Sequence, residues 1–409
     1  MHNRSHHKRY GNEDTCVKLV HVVGARPNFM KIAPILAAIR QHNKQGSDPT
    51  FESLLVHTGQ HYDQAMSQSF FEDLDLPRPD LNLEVGSGSH AEQTGKVMIA
   101  FEKVLQQKAP KMVLVVGDVN STMACTLAAK KLNIPVAHVE AGLRSGDMTM
   151  PEEINRKVTD AVADLLFTTD LGANANLKLE GIPDHQIFFV GNVMIDTLLK
   201  HRERASRSLV LETLGLKEEQ QVKPYGILTL HRPSNVDCFD TLHEILQAVK
   251  TLSDVIPIIF PCHPRTVSQI ESFGLQSYFG KSIQNGDRIV LVPPFGYLDF
   301  LQLHAHAKIV LTDSGGIQEE ATILGVPCLT LRENTERPIT ILQGTNRLVG
   351  TRRESILKGF EAAMEERDGL GRVPEKWDGR AGERIVEVLA ETGKLIRSGG
   401  RRLIETPSR

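Results

Sequence analysis

Short apolar runs alternate with longer stretches of helical spacing through almost the whole chain. Runs at 19–23, 52–57, 112–116, 136–139, 165–168 and 187–190 predict one series of strands, and runs at 225–229, 256–260, 289–291, 309–311 and 328–331 predict a second. Continuous rather than alternating apolarity is what a strand shows when helices cover both faces of its sheet. Strand and helix patterns in alternation therefore predict an α/β protein with parallel sheets and crossover helices, arranged as two doubly wound units. Between the two series lies a charged helical stretch at 196–224. The expected organisation is a disordered polar tail at 1–16, a first domain at 17–198, a second at 199–390 and a frayed tail at 391–409. The last helix of the second domain is placed to pack back on the first.

Length supports that division, because 409 residues exceed the size at which one core usually stops growing. Charged residues make up 24% of the chain and the formal net charge is −3, so no general attraction to nucleic acid or anionic membrane is expected and any basic site must be local. No apolar run approaches the roughly 20 residues of a membrane span, and the polar start offers no signal-peptide core, which predicts a cytoplasmic protein. The five cysteines are odd in number, scattered and without a CxxC pair, so neither a disulfide framework nor a zinc site is expected. His2, His6 and His7 cluster in the tail with no carboxylate or cysteine pattern beside them.

Ligands of open α/β sheets bind beyond the carboxyl ends of the strands, so candidate chemistry is sought in the turns that follow them. After the run at 309–311 come Ser314, Gly315 and Gly316, then a helical stretch. Backbone N–H groups left unpaired at a helix start, with no Cβ in the way, make a phosphate seat. The first run leads into GARPNFMK, where Arg26 and Lys31 add two cations beside another helix start. Asp118 follows the run at 112–116, Glu140 follows the run at 136–139, and Glu152 and Glu153 sit at a helix opened by Pro151. Their grouping predicts a carboxylate-lined pocket. In the second half His231 with Arg232, and His263, stand just beyond apolar strands, suited to neutralising a phosphate or relaying a proton. Glu333, Glu336 and Arg337 return to the same edge.

Taken in order, GARPNFMK, TGQH, GDVNST, VEAGLRSGD, PEEINR, HRPSN, SGGIQEEA and TERP resemble the non-hydrolysing UDP-N-acetylglucosamine 2-epimerase family over about residues 18 to 365. The resemblance implies two Rossmann-like domains in a glycosyltransferase-B-like arrangement about a central cleft, a homodimer, and interconversion of UDP-GlcNAc with UDP-ManNAc as a supply for cell-surface polysaccharide. Carried across by motif, it makes Asp118, Glu140 and Glu152 the acid/base carboxylates and gives His231 the support of the UDP leaving group. Arg26 and Lys31 would face the diphosphate and sugar, with His263 also in the substrate site. Ser314, Gly315 and Gly316 would bind phosphate, Glu320 the ribose hydroxyls, and Arg337 would complete the shell. Gln60 and His61 mark a candidate allosteric substrate site. The chain departs from the family pattern at Pro27-Asn28, at Pro233-Ser234, and at Met148-Thr149-Met150, where aromatic residues are usual.

The C2 proton of such a sugar is not acidic, and the chain shows no dinucleotide fingerprint with which NAD could oxidise C3. Elimination of UDP to a 2-acetamidoglucal, followed by re-addition with the proton on the other face, is then the available route. No cofactor or metal is expected. Rival readings are a hydrolysing epimerase, an epimerase of a modified UDP-diacetamido sugar, a glycosyltransferase of the same architecture, and a non-catalytic sugar-nucleotide sensor.

Overall fold

The computed structural model describes residues 16–59, 73–365 and 371–397. The first apolar series forms β1 (Cys16–Val23), β2 (Thr50–His57), β3 (Leu81–Asn82), β4 (Met112–Val116), β5 (Val136–Ala141), β6 (Leu165–Thr168) and β7 (Ile187–Phe189). They join in the order β3-β2-β1-β4-β5-β6-β7, every pair parallel. After a two-stranded antiparallel ribbon, β8 (Lys217–Glu218) with β9 (Gln221–Val222), the second series gives β10 (Gly226–Thr229), β11 (Ile258–Pro261), β12 (Ile289–Val292), β13 (Ile309–Thr312), β14 (Cys328–Thr330) and β15 (Asn346–Leu348). Its parallel order is β12-β11-β10-β13-β14-β15.

Each sheet is wound outward in both directions from a central pair, β1 with β4 and β10 with β13. That reversal opens a crevice at the carboxyl ends of the two strands, because the helices that follow them leave on opposite faces. β3, β15 and the ribbon were not expected, since two or three residues carry no period to read.

Three of the expected boundaries fall inside regular elements. The helix Val193–Ala205 runs straight through the expected division at 198/199 and packs on Arg26–Lys44 of the first half and on Tyr297–Ala305 and Gly315–Leu324 of the second. A helix that packs on both halves is no place for a linker. The chain is also helical over Ala381–Arg397, so 391–397 belong to an ordered element rather than a frayed tail, and Cys16 belongs to β1 rather than to the polar start. Ala381, Ile385, Val386 and Leu389 on that last helix share a core cluster with Val17, Ile32, Ile35 and Ile39 of the first half. Its entry is fixed by Asp196, which accepts N–H groups from Ala381 and Gly382, and by the buried Trp377, which donates to the Thr169 carbonyl. Burial pushes the Asp196 carboxyl up to about 6 in spite of those two donors.

Candidate active site

Asp118 and Glu140 stand at the ends of neighbouring strands of the first sheet. Glu140 belongs to β5, where the register with β6 shifts between Val139 and Ala141, and its backbone takes φ +71°. A bulge re-aims a side chain, and a non-glycine residue in the left-handed region persists only where its surroundings hold it. Here the holder is Lys31, whose ammonium forms a buried ion pair with Glu140 Oε2. Gly117 completes the arrangement, with φ +70° and only 2.8 Å between an added Cβ and Lys31 Nζ.

The acids of the PEEINR segment divide their work. Glu153 is fully buried and accepts N–H groups from Ser145 and Gly146. Its Oε2 lies 2.6 Å from Arg156 Nη2, and Arg156 Nη1 reaches Asp118 Oδ2 at 2.5 Å. Burial works against the Asp118 carboxylate, but Arg156, Lys31 and Arg337 together hold it below its ordinary range. Glu152, by contrast, is half-buried and has no side-chain partner among the described residues.

The first helix start is not an open anion seat. Asn28 Oδ1 accepts the N–H groups of Gly24 and Ala25, and its Nδ2 donates to the Val116 carbonyl. Two of the donors that GARPNFMK offers are therefore satisfied from within the chain, and Lys31 is engaged by Glu140. The side chain of Arg26 lies outside the described structure, as do Gln60 and His61.

In the second half Asp313, at the end of β13, gathers the turn after β10. It accepts N–H groups from His231 and Arg232 and the Asn235 side-chain amide, and its Oδ1 is 2.7 Å from His231 Nδ1. Burial opposes its charge, yet His231 and the two backbone donors bring its carboxyl below the ordinary range. The His231 side chain stays 56% exposed, so Asp313 fixes one nitrogen and leaves the ring open to the cleft side of the turn.

The helix Gly315–Leu324 begins behind Ser314, which makes no side-chain cap. Its first N–H groups have no acceptor within the helix. A Cβ on Gly315 would come within 2.7 Å of Arg337 Nη1 and 2.8 Å of Glu336 Oε1, whereas one on Gly316 would meet only Met194 Cε, at 3.6 Å. A side chain at 315 would displace the buried ends of Arg337 and Glu336, whereas Gly316 leaves open room.

Arg337 joins the two halves. Its Nη1 donates to Glu336 at 2.8 Å, its Nη2 lies 3.7 Å from Glu140 Oε1 across the cleft, and its Nε lies 2.8 Å from Glu319 Oε1. The last contact is an ion pair by distance only, since its angle is wrong for a hydrogen bond, and both Glu319 oxygens lack a donor. Burial pushes the Glu319 carboxyl up to about 7; Glu140 pushes the same way, and Arg337 and Lys31 oppose. Glu336 goes the other way, held well below the carboxylate range despite burial by Arg337, Arg332 and Arg232.

Of the expected site residues, Lys31, Asp118, Glu140 and Arg337 thus form one charged cluster, with Gly315 against it, and His231 adjoins Arg232, which reaches Glu336 beside Arg337. Glu320 is buried and accepts the Tyr297 hydroxyl at 3.2 Å. His263 is exposed and caps the helix Pro264–Ser272 by accepting the Arg265 N–H. Glu319, Arg156, Asp313 and Asn28 were not singled out from sequence. Glu319 had a usable signal, since it lies four residues after Gly315 and so on the same helix face. Among the described residues no group of three or more His, Cys, Asp or Glu is placed to hold a metal ion, and no helix is long and apolar enough to cross a membrane.

Comparison with known proteins agrees with this architecture. The family model described as UDP-N-acetylglucosamine 2-epimerase matches residues 43–390. A UDP-N-acetylglucosamine 2-epimerase homolog of Methanococcus maripaludis is 45% identical over 379 residues, 91% of this chain and 99% of that protein. The UDP-N-acetylglucosamine 2-epimerase of Methanocaldococcus jannaschii is 41% identical over 384 residues, again 91% and 99%. The crystal structure of the M. jannaschii enzyme in complex with UDP-GlcNAc and UDP superimposes with a TM-score of 0.83, covering 92% of this chain and all of that one. With its two sheets, its cross-cleft charges and this extent of similarity, the chain belongs to the UDP-N-acetylglucosamine 2-epimerase family.

Proposed function

We propose that this protein interconverts UDP-GlcNAc and UDP-ManNAc by elimination and re-addition of UDP. The observation that carries the reading is the cross-cleft cluster, in which Glu140 of one half meets Arg337 of the other at the edge of an uncapped helix start, with Asp118 in the field of the same guanidinium. A base takes the C2 proton, the C1–C2 double bond forms, and the C1–O bond to UDP breaks with its electron pair leaving on the diphosphate. The glycal then takes a proton at C2 from the opposite face as UDP returns to C1. Two proton-handling groups are needed, one for each face. Asp118, Glu140 and the unpartnered Glu152 are the acids available for them.

The leaving group is to be received by the first-turn N–H groups behind Ser314, by Arg337 and Lys31, and by His231, with Glu320 taking the ribose. Preorganised donors at the developing charge are often the largest single contribution to such a step. We place the protein in the cytoplasm as a homodimer, its product drawn off by reactions that build cell-surface polysaccharide. Proton NMR of UDP-GlcNAc with the enzyme in D₂O tests the reading directly. Deuterium at C2, a UDP-ManNAc signal and no accumulating free UDP are expected. Unchanged substrate in the presence of a UDP-diacetamido uronic acid that does epimerise would move the activity to that sugar, and free UDP with free sugar would make the enzyme a hydrolysing one.

A further inference from the structure

Glu319 is a buried carboxylate whose two oxygens lack hydrogen-bond donors, facing a guanidinium shared with two other acids. The groups that face it come from four elements. Arg337 and Glu336 lie in the segment after β14, Glu140 in β5, Lys31 in Arg26–Lys44, and Asp118 acts on the same guanidinium from the turn after β4. Three other helices pack on Gly315–Leu324; Ile339–Leu342 carries no charge, and the charges of the other two are engaged elsewhere. Asp196 is held by the amides of Ala381 and Gly382, Lys200 and Arg204 reach Asp75, and His304 lies nearest Glu320. The local count is therefore two cations, Lys31 and Arg337, holding Glu140, Glu319 and part of Glu336.

We propose that Glu319 is a positioning residue that takes up a proton from solvent when the diphosphate of a sugar nucleotide engages Arg337 and Lys31, so that Glu140 stays ionised beside the substrate. The inference rests on the UDP-sugar reading of the cleft. Its physical basis is competition for counterions. A diphosphate brings two negative charges to the same two cations, and unlike Glu336, which keeps Arg332 and Arg232, Glu319 has no further donor to fall back on. Two carboxylates left with weakened counterions in a buried site do not both remain charged. The step balances simply: one O–H bond forms on Glu319, and one proton leaves the buffer. Its neutral hydroxyl can then donate to an oxygen of Glu140 or of the ligand, holding Glu140 as an acceptor of the C2 proton.

Calorimetric titration with UDP-GlcNAc, which has no phosphate group titrating near neutrality, decides the matter when repeated in buffers of low and high ionisation enthalpy. The wild type should take up a fraction of a proton per site, rising between about pH 6 and about pH 8 as the free site empties, and its Kd should weaken by up to about tenfold per pH unit in that range. Glu319→Gln should bind UDP-GlcNAc with no proton uptake and a flat Kd, while Glu319→Asp should restore part of the dependence. Wild-type binding with the same heat in every buffer would overturn the proposal without recourse to any variant, as would a folded Glu319→Gln protein that still takes up the proton. Failure of the wild type to bind UDP-GlcNAc at all would instead remove the substrate reading, and this inference with it.

Discussion

The two halves wind their sheets about a central pair in the same way, yet they arm the strand ends with opposite chemistry. In the first half the turn after β4 and the end of β5 carry carboxylates, each matched to a buried cation, Asp118 to Arg156 and Glu140 to Lys31. The second half offers mainly backbone donors behind Ser314 and a histidine braced by Asp313. One topology supplies the crevice twice, and the few residues in its turns decide whether that crevice moves protons or receives an anion. Lys31, being paired with an acid and seated beside Gly117, serves the first task before it can serve the second.

The largest expected effect tests the proton-handling half. Glu140→Gln or Asp118→Asn should lower epimerisation by about 10²–10⁴-fold while UDP affinity measured by calorimetry stays within a few fold. Full activity in both would show that the acids of this half only position other groups. The anion-receiving half is tested by Gly316→Val, which has room in the fold and should leave the melting temperature nearly unchanged while weakening UDP binding by about 2 kcal/mol, roughly 30-fold. Gly315→Ala should lose thermal stability as well, because its Cβ strikes Arg337 and Glu336. Normal UDP binding by Gly316→Val would move the phosphate seat to another part of the cleft.

A smaller effect is expected of His231→Ala, in which kcat should fall by more than KM rises, since stabilisation of a departing diphosphate matters most in the transition state. Steady-state kinetics separate this from a pure binding loss. The smallest concerns stability. Burial lowers His21 in β1 and His201 in Val193–Ala205 from 6.5 to about 4, so the fold holds both neutral. Their contribution is complete above about pH 6.5 and is lost as pH falls toward about 4, because the unfolded chain binds those protons first. Melting temperatures recorded across that range should fall on the acid side, and His21→Gln should flatten the fall by a few degrees.

Most strands were legible because parallel strands covered on both faces are continuous apolar runs, and seven of the eleven expected runs agree with the observed strands to within one residue at each end. The helix that crosses 198/199 was hidden for a physical reason. Charge in HRERA suggested an exposed linker, but only one side of that helix is polar, and Ile195, Leu198 and His201 are buried. Site residues were legible where they follow a strand directly, as Asp118 and Glu140 do. Glu319 and Arg156 were obscure because both sit inside helices among other charges, and sequence alone does not tell a buried helical acid from a solvated one. Asn28 stood out only as a departure from a pattern, and its role became visible with the two N–H groups it accepts.

The return of Ala381–Arg397 to the first half has a consequence for how the chain is made. Val17, Ile32 and Ile35 leave the ribosome well before the helix that covers them is translated. Until that helix is made the first half must therefore wait with an apolar face unclosed, while the second half, whose own cluster runs from Leu228 to Ala363, can finish earlier. Such long-range closure is slow and leaves a surface open to wrong partners. Quality control during biosynthesis would thus monitor the earlier-made of these two segments, and damage confined to the later-made helix would be felt by a core laid down before it.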